Sequence, residues 1–231
     1  MNLENNIRRR KFLRRTSSAL GTMALLGGSS SEMTAAERLS DPKKREAADK
    51  VLAEMEAKGG KFLSVPRKDG EFLNLLVKAT RSKNILEIGT SHGYSSLWMS
   101  LGLEETDGHL TTIEILPERV KLARDHVARA GLAHRVTFKE GDAHALVPAL
   151  EGTFDFVLLD ADKEGQLDYF QKLYPKKLLA GGILMAHNAI KYRELMKDYL
   201  EALSQHRDFD SMVVSITMDD GFSLSYRKRQ A

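Results

Sequence analysis

The sequence predicts an α/β fold: a doubly wound, mostly parallel sheet of seven strands with an antiparallel hairpin at its C-terminal end. Short apolar runs alternate with helical segments five times from residue 84 onward, which is typical of a parallel sheet with crossover helices. Two final apolar runs, 209–216 and 222–226, flank Asp219-Asp220-Gly221 and predict the hairpin. The chain has 231 residues, 42% of them hydrophobic, which is enough for one core of this kind.

The first predicted strand, residues 84–88, leads into a turn that contains two glycines. Gly89 and Gly93 interrupt the apolar run, and helical spacing resumes over residues 95–103. Glycine lets the backbone approach a ligand closely, and the helix that follows offers free N–H groups. Together with Glu87, the glycines have the spacing Glu-x-Gly-x-x-x-Gly rather than the Gly-x-Gly-x-x-Gly of dinucleotide sites, which disfavours a nicotinamide dehydrogenase. An ordinary strand-to-helix turn is the alternative.

Helices are also predicted before this strand. Residues 32–58 indicate one or two helices, with a start signal at Ser40-Asp41-Pro42 and an end at Gly59-Gly60. Asp69 is then expected to cap a helix whose core-facing residues are Phe72, Leu73, Leu75, Leu76 and Ala79. The whole segment 32–80 is expected to cover the mouth of the site.

Acidic and polar residues follow the ends of the later strands. Residues 109–113 form a second strand that ends in Glu114, an acid able to accept both ribose hydroxyls of a nucleoside or, alternatively, to start the next helix. Residues 135–139 form a third strand, followed by the turn 140–143. A buried fourth strand, 154–159, delivers Asp160, and a fifth, 183–186, delivers His187 and Asn188.

Composition excludes several classes of protein. The chain has no cysteine, so it has no disulfide framework, thiolate metal site or cysteine nucleophile. Its net charge of +3 is concentrated in residues 1–15, where six basic residues and one acidic residue leave −2 for the remainder. A mildly acidic body does not indicate a nucleic-acid binder. The histidines at 109, 126, 134 and 206 are expected at the surface, and Trp98 is expected to pack in the core.

The N-terminal segment resembles a twin-arginine export signal. Arg9-Arg10-Lys11-Phe12-Leu13-Arg14 precedes a weakly apolar stretch that is too short to span a bilayer. We therefore expect residues 1–31 to be a signal or disordered segment, residues 32–231 to be one domain, and the protein to be periplasmic or otherwise extracytoplasmic. No clear cleavage site is present. The alternative is a cytoplasmic protein whose basic arm touches nucleic acid or anionic lipid.

Several motifs of the body resemble the caffeoyl-CoA and catechol O-methyltransferase family of class I S-adenosylmethionine (SAM) methyltransferases. The similarity covers roughly residues 61–228. The motifs are the Val65-Pro66 lead-in, Leu86-Glu-Ile-Gly-Thr-Ser-x-Gly-Tyr-Ser95, Gly141-Asp-Ala143, Leu159-Asp-Ala-Asp-Lys163 and Gly181-Gly-x-Leu-x-Ala-x-Asn188. The motif ending in Lys163 is the most specific, because methyltransferases in general lack it.

This resemblance implies a set of site residues. The SAM pocket would be formed by Val65, Glu87, Gly89, Thr90, Ser91, Gly93, Ser95, Glu114, Asp142, Ala143 and Asp160. Lys163 would be the catalytic base and Asp160 a catalytic metal ligand, with Asn188 and the residue at 187 completing the metal site. The family moves the SAM methyl group to one hydroxyl of an aromatic vicinal diol, and a divalent cation binds both diol oxygens.

The chain departs from the family at His187, where the family has aspartate. Imidazole nitrogen replaces carboxylate oxygen and one negative charge is lost. Mg²⁺ prefers oxygen, whereas imidazole suits Zn, Fe, Ni or Co and tolerates Mn. Four outcomes stay open. The site binds a different metal, binds the metal more weakly, binds no metal while His187 acts as a base or as a hydrogen-bond partner of the acceptor, or contains His187 only as a buried structural residue. His187→Asp is expected to raise Mg²⁺-supported turnover.

The sequence therefore predicts a SAM-dependent O-methyltransferase with a small phenolic acceptor and a divalent cation of undetermined identity. Two alternatives are a SAM methyltransferase of another acceptor, such as a hydroxylated transfer-RNA base, and a SAM-binding protein that has lost metal-dependent turnover. A homodimer is expected from the family, and neither a nucleic-acid partner nor a stable membrane span is expected.

Overall fold

The computed structural model describes residues 42–59, 65–217 and 219–229. The predicted export segment at 1–31 lies outside these residues, so export and extracytoplasmic location stay predictions. Among the described helices, none is both long enough and apolar enough to cross a membrane.

Seven strands in the described part of the chain form one sheet, in the order β3-β2-β1-β4-β5-β7-β6. The strands are β1 Asn84–Ile88, β2 His109–Glu114, β3 Val136–Glu140, β4 Phe154–Leu159, β5 Leu178–His187, β6 Phe209–Val214 and β7 Phe222–Arg227. Strands β1 to β5 pair in parallel, and β7 pairs antiparallel with both β5 and β6. The predicted mostly parallel sheet with an antiparallel C-terminal hairpin is thus confirmed.

Helices cover both faces of this sheet. They are α1 Pro42–Ala57, α2 Arg67–Thr80, α3 Tyr94–Thr106, α4 Pro117–Arg129, α5 Ala143–Ala149, α6 Gln166–Leu173 and α7 Lys197–Ser204, with a short 3₁₀ helix at Ala133–Arg135. One buried cluster joins the sheet to α1–α4 through residues such as Leu52, Leu73 and Leu97. A second joins it to α5–α7 through Val147, Phe170 and Leu203. The two clusters make the fold doubly wound.

The interior of α2 differs from its prediction. Leu75 is 61% exposed and Ala79 is exposed, whereas Val77 is fully buried. Asp69, Leu73 and Val77 follow one another at four-residue intervals, so they share one stripe of the helix and all three are buried. Asp69 is therefore not the helix cap that the local pattern suggested.

Two further predictions were wrong in detail. His126 is 3% exposed rather than at the surface, because it lies three residues after Ala123 on the buried stripe of α4. The helix expected from residue 194 begins at Lys197, and turns occupy the residues before it. Trp98 is 2% exposed, as its predicted packing role requires.

Candidate active site

A cavity of about 940 Å³ opens at the carboxyl ends of β1, β2, β4 and β5. The predicted site residues that line it are Val65, Gly89, Ser91, Glu114, Asp142, Ala143, Asp160, Lys163, His187 and Asn188. Thr90 and Ser95 line a narrow recess that shares Gly89 and Asp160 with this cavity. Of the predicted SAM-pocket residues, all of which the structure describes, Glu87 and Gly93 line neither space. Ligand cavities in open α/β sheets lie at this edge.

The glycine loop between β1 and α3 needs its glycines. Gly89 has φ +100°, and a Cβ there would lie 2.4 Å from the backbone oxygen of Asp160. Gly93 has φ +85° just before α3, and a Cβ there would lie 3.1 Å from that of Ala123. The ends of β1 and β4 can therefore approach each other only because residue 89 has no side chain.

Glu87 lies beneath this loop and is fully buried. The hydroxyls of Ser95, Ser96 and Thr112 all donate hydrogen bonds to its carboxylate. Burial raises the pKa of Glu87, the three hydroxyls oppose that rise, and the result is a pKa of about 7. Glu87 thus connects β1, β2 and α3 under the loop, and a direct contact with the cofactor stays a prediction.

Glu114, at the tip of β2, is held in a fixed orientation. One of its oxygens accepts the backbone N–H of Ser91 at 2.8 Å. The other accepts the N–H groups of Ile115 and Leu116 at 3.0 and 3.1 Å. The carboxylate still lines the cavity, so it can present oxygen atoms to a ligand there.

The turn after β3 forms another wall of the cavity. Asp142 caps α5 by accepting the backbone N–H of His144 at 2.8 Å. The His144 ring stacks on Tyr169 with 4.1 Å between ring centroids, and the Tyr169 hydroxyl donates to Asp162 at 2.7 Å. The stacked rings of His144 and Tyr169 therefore form a flat surface with polar edges in the cavity wall that also contains Ala143.

A network of charged side chains lies where β4 and β5 end. Lys163 Nζ donates to Asp160 Oδ1 at 2.8 Å. The imidazole of His187 lies between two carboxylates, with Nδ1 3.3 Å from Asp160 Oδ2 and Nε2 3.1 Å from Asp69 Oδ2. Thr217 donates from the other side to both oxygens of Asp69, at 3.2 and 3.3 Å.

The network shifts the pKa values of its members. Burial opposes the charge on Asp160, but Lys163 and His187 outweigh it and lower the pKa of this carboxyl. Burial likewise opposes the charged form of His187, yet Asp160 and Asp69 raise its pKa to about 9. In the protein alone, at neutral pH, the imidazole of His187 is therefore protonated.

Asn188 adjoins a third carboxylate. It adopts φ +65°, and its amide donates to Asp220 Oδ1 at 2.9 Å. Lys191 Nζ lies 3.5 Å from the same oxygen. One ligand atom each from Asp69, His187 and Asp220 lie within 4.8 Å of one another. The arrangement brings together a nitrogen and two carboxylates that could hold a cation.

Comparison with known proteins assigns the chain to a family. A family model described as O-methyltransferase matches residues 39–227. The chain is also 34% identical over 184 residues to the catechol O-methyltransferase of Niastella koreensis, covering 77% of this chain and 81% of that protein. The chain belongs to the O-methyltransferase family.

Two solved structures similar to this O-methyltransferase contain SAM or SAH. The O-methyltransferase TomG of Streptomyces achromogenes, in complex with SAM, is 29% identical with a TM-score of 0.69, over 80% of this chain and 90% of TomG. An O-methyltransferase of Bacillus cereus, in complex with SAH, is 26% identical with a TM-score of 0.71, over 79% of this chain and 91% of that one. This O-methyltransferase is accordingly a SAM-dependent enzyme of the class I methyltransferase fold.

Sequence reasoning missed three residues of this O-methyltransferase site. Asp69 was interpreted as a helix cap and Asp220 as a hairpin turn residue, and Thr217 was not singled out. Asp69 lies 118 residues before His187 in the chain, so no local spacing could connect them. The available signal was an acid on the apolar stripe of α2, four residues before Leu73.

Proposed function

We propose that this enzyme transfers the methyl group of SAM to a hydroxyl of a small phenolic or catechol-like acceptor, assisted by a divalent cation. One observation carries the proposal: Lys163 and Asp160 line the same cavity as the glycine loop. A proton acceptor and a cofactor loop on one cavity are what hydroxyl methylation needs. The name of the Niastella koreensis relative, catechol O-methyltransferase, supports the acceptor class.

We place the cofactor along the loop between Gly89 and Glu114. The methionine part of SAM would lie against the loop at Gly89 and Ser91, and Glu114 would accept the ribose hydroxyls. Asp142, Ala143 and His144 would surround the adenine. The sulfonium methyl group would then point towards the ends of β4 and β5.

The acceptor would occupy the opposite part of the cavity. Tyr192 and Leu195 line it and are 38% and 46% exposed, so they offer apolar surface to an aromatic ring. Lys163 lies at the boundary between the two parts and is mostly buried, with 12% of its side chain exposed. A hydroxyl placed there can give its proton to the lysine amine while its oxygen attacks the methyl group.

We propose that the cation is held at the ends of β4 and β5 by Asp160, His187 and Asn188, the ligands that the family resemblance implies, all of which line the cavity. These residues offer a carboxylate oxygen, an imidazole nitrogen and an amide oxygen, a set that divalent cations accept. A cation bound there would lower the pKa of an acceptor hydroxyl. Asp160 would keep Lys163 directed at that hydroxyl through their 2.8 Å hydrogen bond.

Methyl transfer from isotope-labelled SAM to catechol, with Mn²⁺, Zn²⁺, Mg²⁺ or chelator present, tests the proposal in the full-length protein. We expect a singly methylated product with at least one cation. Lys163→Met should lower the rate about 100-fold or more, because a positioned base contributes at least that factor. The SAM dissociation constant of Lys163→Met should stay within about threefold of the wild-type value, because the uncharged methionine side chain keeps the packing and leaves the glycine loop intact. Lys197→Met, on the exposed side of α7, is the matched control.

SAM binding without methylation of any phenolic acceptor, under every cation, would contradict the acceptor class. Family membership would be unaffected by that result. A Lys163→Met variant as active as the Lys197→Met control would instead contradict the role of the base.

A further inference from the structure

We propose that Tyr94 and Glu56 are positioning residues for SAM, because the hydrogen bond between them fixes α1 and the start of α2 against the cofactor loop. Tyr94 is the first residue of α3 and directly follows Gly93 of that loop. Glu56 is the last residue but one of α1. The inference rests on the proposed placement of SAM along the loop, and it is tested by SAM binding alone, without an acceptor.

Tyr94 joins the cofactor recess to α1. It lines the recess together with Val65, Gly89 and Ser91, and only 3% of its surface is exposed. Its hydroxyl donates a hydrogen bond to Glu56 Oε1 at 2.5 Å. Burial and this carboxylate raise the pKa of Tyr94, so the phenol keeps its proton and acts as the donor.

Glu56 extends the connection to the start of α2. Its two carboxylate oxygens accept from Nη1 of Arg67 at 3.1 and 3.2 Å. Arg67 is the first residue of α2 and follows Val65 by two positions. Its guanidinium also lies over the ring of Trp98, 5.5 Å from the ring centroid. The Tyr94 hydroxyl, Glu56 and Arg67 thus form one series of contacts that ends beside Val65.

Val65 is the residue whose position these contacts set. It is buried and lines both the recess and the larger cavity, so it lies beside the place proposed for the methionine part of SAM. Val65 belongs to no strand or helix. Its position therefore depends on how the first residues of α2 are anchored.

The bodies of α2 and α3 are held together in another way. A Cβ at Gly70 would lie 2.2 Å from Cδ1 of Trp98, and a Cβ at Gly102 would lie 2.8 Å from Cγ1 of Val77. This close packing does not need the ion pair between Arg67 and Glu56, whose side chains are 49% and 33% exposed. Exposed ion pairs contribute little to folding stability. Loss of the Glu56 contacts should therefore affect the site more than the fold.

Anchoring of Val65 and the loop in the free protein increases the affinity for SAM. A ligand that has to order its own site on binding loses part of its binding free energy, and a site that is already ordered avoids that loss. Without the Tyr94 hydroxyl, SAM would have to order the start of α2 against the loop. The dissociation constant of SAM should then rise.

Calorimetric titration of SAM into full-length variants tests the proposal. Tyr94→Phe removes only the hydroxyl and should raise the SAM dissociation constant about fivefold or more, the typical effect of one hydrogen bond. Tyr226→Phe, on the exposed part of β7, is its control. Glu56→Ala should weaken SAM binding at least as much, although Glu56 lines neither the recess nor the cavity.

Two further variants separate a positioning role from a structural one. Glu56→Gln keeps an acceptor for the Tyr94 hydroxyl and should restore most of the affinity that Glu56→Ala loses. In the double variant Tyr94→Phe/Glu56→Ala, the SAM dissociation constant should match that of Glu56→Ala within about twofold, because both changes remove one shared contact. Glu46→Ala, exposed on α1, is the control for the changes at Glu56.

SAM affinities of Tyr94→Phe and Glu56→Ala that equal those of their controls would overturn the proposal, whatever the variants do to the free energy of unfolding. Additive losses in the double variant would overturn the shared contact. No SAM binding by the wild type would overturn the cofactor placement as well. The predicted losses of SAM affinity, in an enzyme that methylates no phenolic acceptor, would support the positioning role and contradict only the proposed acceptor class.

Discussion

Replacing Glu87 by glutamine should remove a specific part of the pH dependence of folding. Glu87 is fully buried, and its pKa in the folded protein is about 7, whereas the ordinary pKa of a glutamate is 4.5. Because the folded state holds this proton more tightly, the folded protein carries more protons than the unfolded chain between those two pH values. The stabilisation is complete below pH 4.5 and is lost as the pH rises through about 7.

The size of this effect follows from the two pKa values. Their difference of about 2.5, at about 1.4 kcal/mol per pKa unit, corresponds to roughly 3 kcal/mol. Glutamine cannot titrate, so Glu87→Gln should have no such contribution. It keeps one acceptor oxygen for the hydroxyls of Ser95, Ser96 and Thr112, which can rotate to meet the new amide.

Urea unfolding at several pH values between 4.5 and 8, without SAM, measures the effect. The free energy of unfolding of the wild type minus that of Glu87→Gln should fall by roughly 3 kcal/mol across this range. Taking the difference removes the contributions of all other titrating groups. Glu118→Gln, at an exposed position of α4, serves as the control and should follow the wild type. A difference that stays constant or rises with pH would refute the reasoning.

Two further substitutions probe the cofactor end and the core. Glu114→Gln should weaken SAM binding about tenfold in calorimetry, because a charged acceptor is lost at the predicted ribose position; unchanged SAM affinity would count against that position. Gly70→Ala should lower the free energy of unfolding by about 1 to 3 kcal/mol. The new Cβ would lie 2.2 Å from Cδ1 of the buried Trp98, so overpacking outweighs the gain in helix propensity. Lys68→Ala, exposed in the same helical turn, is its control.

The strands, their mostly parallel arrangement and the position of the cavity could be predicted because they depend on local patterns. Each buried parallel strand appears in the sequence as a short apolar run, and the residue after it stands at the carboxyl edge of the sheet. Asp160, Glu114 and Asn188 all line the cavity for this reason. The strained glycine at position 89 could likewise be predicted from its place between a strand and a helix.

Contacts between distant segments could not be predicted in the same way. An aspartate in the first turn of a helix is locally a good cap, and only tertiary packing shows that the Asp69 side chain is turned to the core and meets β5. His126 was misplaced for a similar reason. Its ring reaches the backbone oxygen of His92 at 2.9 Å, a contact across 34 residues.

The histidine at position 187 and the aspartate at position 69 are best understood as a pair. An imidazole extends further from the strand than a carboxylate, so its outer nitrogen reaches α2 while its inner nitrogen remains beside Asp160. Asp69 would be costly to bury without that nitrogen, whether it carries a proton or a metal ion. Asp160, engaged by Nδ1, is left with its other oxygen for Lys163. The positive charge of this imidazole therefore lies between β5 and α2, and Lys163 lies beside the cavity.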